Sequence, residues 1–226
     1  MEIKREELSK MRKTIGDNLM KSLITIPHAT ITTTVDMTNL IELRENLKKD
    51  GTNLSLTTFL MKAVEKHLAE YPIFNCRLEE EEVIYYDHVN AGVAVDSDRG
   101  LMVINVPDVH KKSISELTED MRDRVARLKA GKITMDDITG STFTISNEAM
   151  STNDHFNSII NNNECFILGL ARYKKQLVVN DDDTTSIRKI ANIMLNYNHR
   201  MVDGMESAAF LGKISQTLAS PKQLLD

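Results

Sequence analysis

The chain switches repeatedly between two hydrophobic periods. Leu8, Met11, Ile15 and Leu19 recur every three or four residues, which predicts an amphipathic helix over 6–23 that Pro27 helps to end. "HATITTTVDM" then alternates with a period of two, placing Ala29, Ile31, Thr33 and Val35 on one face of a strand. Thr38 can cap a helix over 39–49 that Gly51 ends, and Ser55 or Thr57 can start another through "LTTFLMKAVEKHLAEY" to Pro72. "EEVIYY", "VNAGVAV" and "LMVINV" are short, β-rich and bounded by turn residues, predicting strands within about 83–106. Ser113 with Glu116 makes a capping-box pattern ahead of a charged helix that runs to about Gly131. The last third reads mostly as strand, in "STFTIS", "CFILGLARY", "KQLVVN" and "IANIMLNYN", before a closing helix from Asp203 to about Leu218. The order predicts a single α+β domain over 1–226, a two-layer α/β sandwich in which helices cover a large mixed sheet.

Composition narrows the function. With 226 residues and 41% hydrophobic content the chain can bury a substantial core, which argues against disorder. A net charge of -5 with Lys and Arg spread along the chain leaves no basic stripe, so nucleic acid is set aside as a partner. No apolar run approaches the roughly 20 residues of a membrane span, and "MEIKREELSK" is too charged for a signal peptide. No membrane association and a cytoplasmic location are expected. Cys76 and Cys165 fit no CxxC spacing and lie far apart, which favours buried free thiols over a disulfide or a metal site.

Candidate chemistry concentrates in "YNHRMVDG", residues 197–204, which follows the apolar strand 190–197 and precedes the last helix. His199 can carry a proton near neutral pH, Asp203 four residues on can orient it, and Gly204 permits a turn. From spacing alone two readings stand equal: a reactive site, or a helix start at which Asp203 is an N-cap and His199 a loop residue. As a metal site the motif offers two ligands and no nearby third, and His110 and His155 sit in unrelated contexts.

"HRMVDG" resembles the HRxxDG signature of the catalytic domain of dihydrolipoamide acyltransferases, the core subunits of 2-oxo acid dehydrogenase complexes. "MRKTIGDNLMKSLITIPHATITTTVDMT", "LSLTTFLMKAV", "YPIFN", "VNAGVAVDSDRGLMV", "ITGSTFTISN" and "FILGLARY" resemble the same family in the same order, over nearly the whole chain. The resemblance implies a chloramphenicol acetyltransferase-like fold and a homotrimer with each active site at a subunit interface. It also implies acyl transfer between a dihydrolipoyl arm and coenzyme A. Carried over by motif, His199 is the general base and Ser146 in "TISN" hydrogen-bonds the oxyanion. Asp203 pairs with Arg12 of the first helix to hold the loop. Coenzyme A falls to Arg44, Ser55, Asp96, Ser146 and Asn147. Read without the resemblance, Ser146 is an ordinary strand-end serine, Arg44 a solvated helix residue and Asp96 a turn residue. The lipoyl group would come from another domain or chain, with 2-oxo acid dehydrogenase components as partners, and Leu224 and Leu225 could link trimers into a cubic shell.

Three departures from the family pattern stand out. "EAMSTNDHFNSIINNNE", after Asn147, has no glycine where the family is usually glycine-rich, and Asn198 stands where an acidic residue is common. No lipoyl domain or subunit-binding domain precedes Met1, as expected of an excised core or a stand-alone relative. The altered segment motivates an alternative acceptor, a small hydroxyl compound, and a trimeric scaffold with little catalysis is a third possibility.

Overall fold

A computed structural model describes residues 3–97, 100–161 and 164–225. Five helices, α1 (Lys10–Thr25), α2 (Thr38–Lys49), α3 (Leu56–Leu68), α4 (Ile114–Lys129) and α5 (Gly204–Ala219), accompany nine strands. The strands are β1 (His28–Asp36), β2 (Cys76–Glu79), β3 (Glu82–Tyr85), β4 (Ala91–Val95), β5 (Met102–Val106), β6 (Phe143–Asn147), β7 (Phe166–Leu170), β8 (Lys174–Val179) and β9 (Thr185–Asn198). Seven form one mixed sheet in the order β1-β9-β7-β6-β4-β5, with β8 also on β9, while β2 and β3 make a separate hairpin. The α+β class expected from the pattern is the one observed.

Several starts follow their caps. Ser55 Oγ accepts from Thr57 N, and Ser113 and Glu116 form the complete capping box of α4. Thr38 departs from its expected role. It is the first residue of α2 rather than its cap, its N–H is taken by Asp36 Oδ1, and its hydroxyl accepts from Lys189 N to tie the helix to β9. Gly51, at φ +89, makes the left-handed turn that stops α2.

Strand β9 separates the two faces of the sheet. Ala191, Ile193, Leu195 and Tyr197 join the main core under the helices, where Phe74 stacks on Phe210 at 4.1 Å and Phe143 on Phe166 at 5.4 Å. Between them Asn192 and Asn196 face the other way, and their amides donate to the carbonyls of Asp154 and Ser158. Residues 154–160 of the glycine-free segment thus lie over this second face, held also by Ser22 Oγ, which donates to Ile160 O at 2.6 Å. His28 grips it too: its Nε2 accepts from Ile160 N while Nδ1 donates to Ile26 O.

Helix α1 forms where expected but buries only Ser22, leaving Leu19, Met20, Leu23 and Ile24 between 40% and 76% exposed. At the other terminus Leu224 is buried in the chain's own core and Leu225 is exposed. Among the described residues no helix is long and apolar enough to cross a membrane.

Glu164 is a buried carboxyl that accepts from Ser141 Oγ, Thr144 Oγ1 and Asn161 Nδ2 at 2.6, 2.7 and 3.1 Å. Burial pushes it up to about 7, from 4.5. The folded chain therefore keeps a proton that the unfolded chain has lost, so this group makes stability fall as pH rises from about 4.5 to about 7, with no further loss above that. Thermal melts of Glu164→Gln against the parent should show the Tm difference moving in the variant's favour between pH 5 and 7. A difference independent of pH would contradict this assignment.

Candidate active site

The strand register decides which predicted residues can meet. Ser146 on β6 lies opposite Gly169 on the parallel β7, and Gly169 lies opposite Met194 on the antiparallel β9. His199 is five positions beyond Met194, roughly 16 Å along the strand direction at about 3.3 Å per residue. Ser146 and His199 therefore sit toward opposite edges of the sheet within one chain.

At the first edge the cofactor candidates gather. Arg44, read from sequence as a solvated helix residue, is half-buried, and its Nε and Nη2 both donate to Leu54 O at 3.1 and 3.0 Å. Burial lowers its pKa. That carbonyl precedes Ser55, the N-cap of α3, and Asn147 Nδ2 reaches the same helix start through Thr57 Oγ1 at 3.0 Å, while its Oδ1 accepts from Ala149 N. Thr57 was not singled out as a site residue; the signal was its place after Ser55 in "LSLTT". Ser146 is half-buried, and among the described residues its hydroxyl makes no hydrogen bond. β4 runs parallel to β6 with Val93 opposite Ile145, so exposed Asp96, three residues beyond Val93, comes to the same edge.

The second edge carries the histidine motif. Asn198 is 4% exposed, with its N–H donated to Cys165 O and its Oδ1 accepting from Arg200 N. At this depth an acidic side chain would be a buried charge, and the amide organises the turn without one. His199 N donates to Pro27 O, and its half-exposed ring lies 5.5 Å from that of Tyr197. Gly204 opens α5, and a Cβ there would make only an ordinary 3.5 Å contact with the Tyr197 hydroxyl, so packing does not require glycine at this position.

Asp203 occupies the N-cap position of α5, but its side chain makes no capping bond. It is 91% exposed, with Oδ1 3.8 Å from His199 Nδ1. The expected Arg12 partnership does not form within the chain. The Arg12 guanidinium lies beside Gly100, 3.7 Å from where a Cβ would be, while the carboxylate stands next to the histidine instead. Among the described residues no group of three His, Cys, Asp or Glu side chains is placed to hold a metal ion.

The fold is that of the chloramphenicol acetyltransferase class: a chloramphenicol acetyltransferase superposes with a TM-score of 0.53 over 95% of this chain and 100% of its own, at 16% identity. Within that class the chain belongs to the 2-oxoacid dehydrogenase acyltransferase (catalytic domain) family, which matches residues 1–226. The dihydrolipoyllysine-residue succinyltransferase component of the Staphylococcus aureus 2-oxoglutarate dehydrogenase complex is 32% identical over 98% of the chain. The match covers 54% of that relative, so the chain spans about half the length of the curated relatives it matches. Azotobacter vinelandii dihydrolipoamide acetyltransferase, a structure studied for the catalytic roles of a serine, a histidine and an asparagine, superposes with a TM-score of 0.94 at 28% identity. That match covers 100% of this chain and 95% of its own. The cubic core of a pyruvate dehydrogenase multienzyme complex gives 0.93 at 28% identity, with the same coverage.

Gly169, opposite Ser146 in the register, is tightly covered on the second face. A Cβ there would stand 2.9 Å from Phe156 Cζ and 3.1 Å from Met194 Cε. Gly169→Ala should lift the overlying segment and cost about 1–3 kcal/mol, read as a lower urea midpoint. A parental midpoint would mean that Phe156 yields without cost.

Proposed function

We propose that the chain is the catalytic core of an acyltransferase moving an acyl group between a dihydrolipoyl arm and coenzyme A, in active sites shared between copies. The observation that carries this reading is the register separation. A half-exposed histidine and an uncommitted serine hydroxyl are held about 16 Å apart along the strand direction alone on one chain, so a second copy must supply one of them.

Two apolar surfaces support assembly. Leu19, Met20, Leu23 and Ile24 of α1 stand clear of the chain's own core, as do Leu177, Val179 and Ile187 on the β8–β9 hairpin. In a trimer these faces are natural contacts, and the motif of one chain meets the β6 edge of the next. The Azotobacter relative adds weight, because its histidine and asparagine are four positions apart, as His199 and Asp203 are here.

The chemistry follows from the groups. The His199 imidazole removes the proton from the incoming thiol, and the thiolate attacks the thioester carbonyl carbon. The Ser146 hydroxyl donates to the tetrahedral oxyanion. Collapse expels the second thiolate, which recovers the proton from His199. Asp203 stands beside the ring, its Oδ1 3.8 Å from Nδ1. For coenzyme A, Arg44 offers a cation and its remaining N–H donors beside the N-terminus of a 13-residue helix, and Ser55, Asn147 and Asp96 offer polar groups on the same edge.

His199→Ala should lower turnover at least ~100-fold, and Ser146→Ala about 10²–10³-fold, when acetyl-CoA and dihydrolipoamide are supplied. Co-assembling the two inactive variants should restore part of the activity, because some interfaces then pair an intact His199 with an intact Ser146. Absence of recovery in verified mixed oligomers would place both residues in one chain's site and defeat the shared-site reading. Transfer to a small alcohol in preference to dihydrolipoamide would overturn the acceptor.

A further inference from the structure

Two buried thiols far apart in the sequence are neighbours in the fold. Arg77 of β2 and Glu164 form an antiparallel bridge, so the adjoining pair on that ladder sets Cys76 opposite Cys165. Directly opposed residues of an antiparallel pair have Cα atoms about 4.5–5.5 Å apart, inside the roughly 4.4–6.8 Å that a disulfide spans. Both side chains are fully buried in the same core cluster, and both are free thiols. The Cys76 thiol donates to Ile73 O at 2.7 Å, and contact with Cys76, then burial, pushes the Cys165 thiol well above its ordinary range. The pair also touches the histidine motif. Cys165 O accepts from Asn198 N, and Glu80 O, at the tip of the β2–β3 hairpin, accepts from Arg200 Nη2.

We infer that Cys76 and Cys165 form an oxidisable cross-strand pair that closes to an intrachain disulfide when a small peroxide reaches it. One sulfur, as thiolate, breaks the peroxide O–O bond to give a sulfenic acid and hydroxide. The facing thiol sulfur then displaces the sulfenic oxygen, forming the S–S bond. Overall, two thiols and one hydrogen peroxide give one disulfide and two waters. Contact with Cys76 and burial keep the Cys165 thiol neutral, and the buried position makes the first step slow. The second is favoured because the partner sulfur is already in contact. The closed bond pins the hairpin to the strand whose carbonyl holds Asn198.

The test uses the purified parent chain and hydrogen peroxide, with thiols titrated in denaturant and peptides mapped without reduction. Both thiols should disappear together into a linked peptide joining Cys76 to Cys165. Tm should rise by roughly 5–10 °C and return on reduction. In Cys76→Ser and Cys165→Ser the remaining sulfur should instead pass to sulfinic or sulfonic acid without an intrachain link. Exposed Met150 and Met205, at 92% and 85%, report exposure to the oxidant. Two intact thiols after both methionines have become sulfoxides would overturn the inference, as would independent over-oxidation of each cysteine in the parent or links between chains.

Discussion

Strand β9 must satisfy two unlike surfaces at once, and much of the molecule is arranged around that requirement. A period of two is the only means a strand has of doing so. Its odd-numbered residues from Ala191 to Tyr197 close the greasy interior beneath the helices, and its asparagines at 192 and 196 present amides to a layer made of main chain. Amides suit that layer because an irregular segment brings carbonyls that need donors when covered. The same strand sets the register that places the serine edge and the histidine edge, so packing and chemistry share one constraint.

Legibility in the sequence tracked how local each determinant was. Ser55, Ser113 with Glu116, and Gly51 act within a few residues of themselves, and the starts and stop they mark lie close to where they were read. β2 escaped notice because Cys76–Glu79 is four residues long and runs into a block of glutamates that reads as solvated surface. The first third of β9 escaped for the reverse reason: Thr185–Lys189 is polar and exists because β8 pairs with it. Arg44 looked like a surface charge, since nothing nearby in sequence reveals that the carbonyl of Leu54 turns toward it.

The candidate site divides in the same manner. The residue types in "HRMVDG" announced chemistry, and their placement between a strand and a helix was visible beforehand. Asp203 had two readings from sequence because N-cap preference and proximity to His199 compete for one carboxylate, and the structure leaves it uncapped and beside the ring. The distance between the histidine and the serine was invisible, because it follows from a pairing order in which β7 lies between β6 and β9. Contact between Cys76 and Cys165 was hidden likewise: 88 residues separate them, and only the bridge beside the hairpin brings them together.

The β8–β9 hairpin carries a further cost when its apolar face is left uncovered. Leu177 and Ile187 are paired with each other and exposed, at 72% and 66%, and Val179 beside them is at 67%. A two-stranded ribbon with a bare apolar face and an open edge at β8 can template the addition of foreign strands. A chain in which this ribbon stays uncovered is therefore open to coalescing into β-rich aggregates, the more so the longer the ribbon is exposed after synthesis.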